Sequence, residues 1–169
     1  MSEKNYYNRE AIQKLKELAE DARICMMCTQ LDAKPMAARP MTVQEVDEQG
    51  IIWFISGKDS DKNYQLQKDS ELQLFFANNG SSEYLSIYGH AEIYADRETI
   101  EEHWSAMANA WFEEGKDDPN VSIIGVNPKD VRYWDTKHGK FVDMALMLYA
   151  AVTGSDTGTQ GGEEGKLEI

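Results

Sequence analysis

The stretch Tyr84–Ala95, YLSIYGHAEIYA, places Leu85, Ile87, Ala91 and Ile93 in one row and Tyr84, Ser86, Tyr88, His90, Glu92 and Tyr94 in the other. A period of two kept over so many residues predicts a strand with one apolar face, and a helix would scatter both rows around its circumference. Gly89 falls in the apolar row, where a missing side chain predicts a bulge or a close backbone approach. A one-faced strand needs partners that bury the same face. The chain supplies them in Ile24–Gln30, Met36–Val46, Ile51–Ile55 and Leu72–Ala77. Turn-forming residues separate several of these runs: Asp32–Pro35, Asp47–Gly50 and Asn78–Ser82. Short connections between successive strands predict an antiparallel sheet that curls into a barrel, a mainly β fold with peripheral helices.

Helices are expected at three places. Asn8 can cap the first, in which Ile12, Leu15, Leu18, Ala19 and Ala22 recur on one side. Ser60 can cap a short second helix to about Lys68, and Asp96 a third. In the third, Ile100, Trp104, Met107 and Trp111 make a stripe at helical spacing, which predicts core or subunit interface. Val121–Val126, Asp130–Asp135 and Lys140–Met144 read as further strands, and Leu146–Val152 as an extra strand or a segment docking on another subunit. Residues 1–152 are expected to form one domain, followed by a mobile acidic tail over 153–169 with five glycines.

Composition narrows the function. Thirty acidic against 17 basic residues give a net charge of −13 with no basic stripe, which argues against nucleic acid and anionic membranes as partners. No apolar run approaches the length of a membrane-spanning helix and Met1–Glu10 is polar, so a cytoplasmic location is expected. Cys25 and Cys28 form a C-x-x-C pair, but in a strand that offset sends the thiols to opposite faces. They read as buried structural residues rather than a zinc or redox pair. His90, His103 and His138 show no metal-ligand spacing, and no nucleophile elbow or dinucleotide fingerprint occurs.

Two features point to an anion. Ile51–Ile55 reads as a strand buried on both faces, and it runs into Ser56-Gly57 and then a helix start carrying Ser60 and Lys62. A helix beginning beside a strand end directs unpaired N–H groups outward, which favours a phosphate there. Ser56, Ser60 and Lys62 then form a phosphate cradle; the other reading is a solvated turn in which Asp59 and Asp61 satisfy the helix dipole. Arg39, between alanine and methionine on a strand face, calls for an anionic partner, a carboxylate or a partly wet face.

The segments AARPMTV at Ala37–Val43, WFISGKDSDK at Trp53–Lys62, YLSIYGHAEI at Tyr84–Ile93 and VRYWD at Val131–Asp135 occur in an order that resembles the pyridoxamine 5'-phosphate oxidase-like superfamily, in particular its general stress protein branch. The resemblance covers about Glu10 to Met144. It implies a split β-barrel homodimer that binds FMN between subunits. Arg39 and Lys62 would hold the flavin phosphate, with Ser56 and Ser60 adding hydrogen bonds. Met41, Thr42 and Ile55 would contact the isoalloxazine ring, and Tyr84 and Trp134 would flank it, Trp134 from the other subunit. The segment YWDTKHGKFVDM lacks the arginine and histidine that grip substrate phosphate in true pyridoxamine phosphate oxidases, so that activity is not expected. A flavin-dependent oxidoreductase acting with a nicotinamide or another small molecule is the leading expectation. A flavin-buffering stress protein without turnover, or the same barrel holding haem or a deazaflavin, are the alternatives.

Overall fold

The strand Glu83–Tyr94 is hydrogen-bonded along nearly its whole length on both sides, and the barrel is built outward from it. The computed structural model describes residues 2–136 and 162–169. Along the chain the elements are β1 (Ser2–Glu3), β2 (Tyr6–Tyr7), α1 (Asn8–Ala22), β3 (Ile24–Thr29), β4 (Ala37–Val46), β5 (Ile52–Gly57), α2 (Asp61–Lys68), β6 (Glu71–Asn78), β7 (Glu83–Tyr94), α3 (Arg97–His103), β8 (Val121–Thr136) and β9 (Gly162–Glu168). Two short 3-10 helices, Ala106–Ala110 and Gly115–Asp117, lie between α3 and β8.

Strands pair in the order β8-β5-β4-β3-β6-β7, and β7 pairs back to β8, closing a six-stranded antiparallel barrel. The alternation of Tyr84–Ala95 is borne out: Leu85, Ile87 and Ala91 are buried in the barrel core with Met27, Phe54, Leu74 and Val131. Gly89 sits at the register shift between β7 and β8. A Cβ there would lie 2.5 Å from the Asn127 carbonyl oxygen, so only glycine lets the strands approach. Both cysteines are buried free thiols, as expected; Cys25 pairs with Met41 and Cys28 with Ala38 across β3 and β4. No helix among the described residues is long and apolar enough to cross a membrane.

Several sequence expectations are corrected. Asn8 does not cap α1: Tyr7 occupies the cap position without a side-chain bond, and Asn8 opens the helix span with a left-handed φ of 52°. Asp96 does cap α3, accepting from the Thr99 N–H at 2.9 Å. The third helix stops at His103, far short of Trp111. There the chain is pulled out of helical register by tertiary contacts: His103 stacks on Trp53 with ring centroids 3.9 Å apart and shares a hydrogen bond with Glu45. The two strands expected over Val121–Val126 and Asp130–Asp135 are one continuous β8, because the Asn127-Pro128 break is absorbed by the same bulge that Gly89 accommodates. Part of the expected mobile tail is strand β9. Gly162–Glu168 pairs antiparallel to the end of β8 and parallel to β1 and β2, burying Glu163 and Leu167. The strands expected over Lys140–Met144 and Leu146–Val152 lie outside the described residues.

Candidate functional site

β4 carries its two jobs in two halves. Val43, Glu45 and Val46 pair with Phe54, Trp53 and Ile52 of β5, with a bulge at Gln44. Before Val43, β4 pairs only with β3; after Phe54, β5 pairs only with β8. The strands therefore part from Thr42 and Ile55 onward and leave a slot in the barrel wall. Pro40 lies on the edge this exposes, where its missing N–H costs no ladder bond. The slot is a cavity of about 380 Å³, within the range of small-ligand sites. Pro40, Met41, Thr42 and Gln44 form one wall, and Ile55, Ser56, Gly57 and Lys62 the other.

The polar end is rigid. The Ser56 hydroxyl donates to Asn63 Oδ1 at 2.7 Å, Asn63 Nδ2 donates to Ser122 Oγ at 2.8 Å, and Ser122 Oγ donates to the Ser56 carbonyl at 3.0 Å. All three residues are buried, so the network fixes the start of α2 against β5 and β8. Ser60 occupies the expected cap position, but its hydroxyl donates to the Gly57 carbonyl at 2.7 Å and accepts nothing from the helix. The leading N–H groups of α2 thus have no side-chain cap. Asp59, expected to answer the dipole in the solvated reading, is instead bridged by Asn120: its carboxylate accepts from Asn120 Nδ2 at 2.7 Å while its N–H donates back at 3.1 Å.

Two cations converge here. Lys62 is half-buried, and burial followed by the charge of Arg39 holds its pKa below the ordinary lysine value, against a smaller opposing pull from Asp59 and Asp61. Arg39 is likewise held low by burial. Its guanidinium donates to neutral groups, to Thr29 Oγ1 at 2.7 Å and Gln65 Oε1 at 2.9 Å. Neither cation forms an ion pair among the described residues. Two neighbouring, partly desolvated cations that form no ion pair make this end of the slot a candidate anion site.

Of the residues expected at the site, Met41, Thr42, Ile55, Ser56 and Lys62 line the cavity. Ser60 lies 3.3 Å from Ser56 between hydroxyl oxygens, and Arg39 stands behind the wall, tied to α2. Tyr84 and Trp134 are brought together with each other, as cross-strand partners of β7 and β8, and line no part of this cavity. Trp134 instead borders a separate concavity with Arg132, Glu164 and Lys166. The remaining wall was missed: Met107, Ala108, Trp111 and Phe112, with Ile24, complete the apolar end. The spacing that predicted a core or subunit-interface stripe did group Met107 with Trp111, and these two are 50% and 71% exposed, outside the core of this chain.

A closed antiparallel barrel whose wall opens into a slot with Lys62 at its polar end is a split-barrel architecture. The chain belongs to the pyridoxamine 5'-phosphate oxidase-like family, whose model matches residues 10–158. It is 29% identical over 133 residues to protein bli-3 of Neurospora crassa, a match that covers 70% of this chain and 64% of that protein, so the chain spans less than two thirds of this relative. Among solved structures, a proposed general stress protein 26 from Jannaschia sp. CCS1 superposes with a TM-score of 0.75 at 25% identity, covering 96% of this chain and 99% of that one. The general stress FMN/FAD binding protein of Xanthomonas citri superposes with a TM-score of 0.65 at 26% identity, over 75% of this chain and 89% of that one.

Proposed function

We propose that this chain is a homodimeric FMN-binding protein of the general stress protein branch that works in the cytoplasm as a flavin-dependent oxidoreductase. The observation that carries this reading is Lys62 in the slot's lining, with Arg39 behind the wall close enough to depress its pKa, beside a helix start without a side-chain cap and facing a largely apolar far end. A flavin mononucleotide has the matching asymmetry, a dianionic phosphate at one end and a flat, largely apolar ring at the other. Lys62, Arg39 and the N–H groups opening α2 would hold the phosphate, with Ser56 and Ser60 as hydroxyl partners. Backbone and side chains of Met41, Thr42 and Ile55 would meet the ring. The described Xanthomonas citri relative binds FMN or FAD by its description, and the modest cavity favours the mononucleotide. Tyr84 and Trp134, remote from the slot in their own protomer, reach a flavin only if a second copy brings them, which is the reason for including a dimer.

Bound FMN would supply the hydride- and electron-transfer chemistry, with a nicotinamide or another small molecule as its reaction partner. Lys62 is the only titratable side chain of the cavity lining among the described residues, so the chain's own part is to bind, orient and exclude water. That same scarcity of acid–base groups suits a second reading, a flavin-buffering stress protein without turnover. The test is the visible spectrum of the purified protein and mass analysis of what heating releases. Flavin absorption with FMN in the supernatant is expected, and a colourless protein that takes up no added FMN overturns the reading. Reduction by NADH or NADPH then separates enzyme from buffer.

A further inference from the structure

The segment after α3 holds two exposed apolar side chains, Met107 and Trp111, that border the slot. Its 3-10 helix Ala106–Ala110 is anchored on one side only: Ala108 and Phe112 are buried against the cluster around Trp53, Trp104 and Ile123. All four of Met107, Ala108, Trp111 and Phe112 border the cavity, but Met107 and Trp111 are 50% and 71% exposed where Ala108 and Phe112 are buried. Further bonds fix the segment to the slot's wall: Ser105 Oγ donates to Gln44 Oε1 at 2.6 Å, and Arg23 Nη2 lies 3.3 Å from the Met107 sulfur. Thr42 pairs with Ile24, and Val43 N–H donates to the Arg23 carbonyl, so this end of β4 is several residues from the Arg39 end. Phosphate-binding groups and the Met107–Trp111 pair therefore stand at opposite ends of one slot.

We infer that Trp111 is a ring-binding residue: its indole covers the isoalloxazine end of the cavity, with Met107 packed beside it. This rests on the flavin reading above and adds to it a contact from the same protomer. The segment is held rigidly at Ala108 and Phe112, so the indole is presented ready for contact with a planar ligand rather than folded onto the core. Aromatic contact of this kind is sequence-local and needs no charge, so it should act on any flavin regardless of its phosphate.

The experiment compares wild type, Trp111→Phe and Trp111→Ala by titrating FMN and riboflavin separately, reading flavin emission, with the oligomeric state measured by sedimentation at each protein concentration. Trp111→Ala should lower the affinity for both ligands by about tenfold, on the scale of aromatic stacking on a base. Its bound flavin should be brighter, because an indole in contact quenches flavin emission by electron donation. Trp111→Phe should keep most of the affinity and also be brighter. Because the indole is exposed, removing it leaves no core void, and a normal thermal melt of the unliganded variant verifies the fold. Wild type that binds no flavin overturns the flavin reading and this inference with it. Wild type that binds while Trp111→Ala matches it in affinity and emission overturns this inference alone. If Trp111→Ala loses the dimer and regains full affinity when concentration restores it, Trp111 is a subunit contact and the inference falls.

Discussion

Arg39 Nη2 donates to Gln65 Oε1 at 2.9 Å, so the strand that carries one cation of the slot is tied to the helix that carries the other. The two cations differ in what else they do. Lys62→Ala should weaken FMN binding by about 1.5–3 kcal/mol, the scale of a charged hydrogen bond, while leaving riboflavin nearly untouched. Arg39→Ala should show the same ligand dependence and in addition lower the stability of the unliganded protein by about 1 kcal/mol, because Thr29 Oγ1 loses its donor while Gln65 Oε1 keeps only the Thr29 hydroxyl. Isothermal titration with both flavins checks the first part and urea unfolding the second; equal losses for FMN and riboflavin would remove the phosphate role.

Lys62 also predicts a pH dependence. Burial and then the Arg39 charge depress its pKa in the unliganded fold, so the folded chain gives up this proton at lower pH than the unfolded chain. The charged form therefore opposes folding at neutral pH, and the opposition is relieved as pH rises through the folded value toward the unfolded one near ~10.4. The stability of wild type relative to Lys62→Gln should rise with pH on the approach to the unfolded-state value near ~10.4. Bound FMN should flatten that rise, since a phosphate favours the charged lysine. A difference that stays level in the unliganded protein would show that Lys62 is not desolvated.

The polar network under α2 makes a sharper stability prediction. Asn63 is fully buried and satisfies both Ser56 and Ser122, so Asn63→Ala leaves two buried hydroxyls short of partners. A loss of about 2–4 kcal/mol is expected in denaturant unfolding, the sum of two such penalties. Asn63→Ala with additional Ser122→Ala should lose less than the two single changes added together, because the second orphan is removed.

What the sequence showed and what it hid have separate physical causes. Barrel strands were legible because period-two alternation and hairpin turns are local, and Arg39 and Lys62 stood out because a charge in an apolar context needs an explanation. Gly89 was read correctly for the same local reason. The Met107–Trp111 wall was not legible: periodicity groups those residues but does not say that the helix ends at His103, which is decided by Trp53 and Glu45, about fifty residues or more away in the chain. Nothing local to Tyr84 or Trp134 tells that they lie outside the slot of their own chain. Strand β9 was hidden by its composition, since three glycines and three glutamates within 161–169 outweigh the single apolar side chain it buries.

That last correction can be tested directly. Leu167 is 4% exposed in the main core cluster, and β9 pairs with β8 on one side and with the N-terminal strands on the other. Beside it, Glu163 accepts from the hydroxyls of Tyr133 at 2.8 Å and Tyr6 at 2.9 Å, linking both ends of the chain to β8. Leu167→Ala should then destabilise by about 2–4 kcal/mol, as a large-to-small change in a core. A mobile tail would tolerate it with no measurable shift. Thermal unfolding of the variant, with Glu168→Ala at the neighbouring exposed position as the matched control, distinguishes the two; only the Leu167 change should lower the midpoint, because only that side chain takes part in the core.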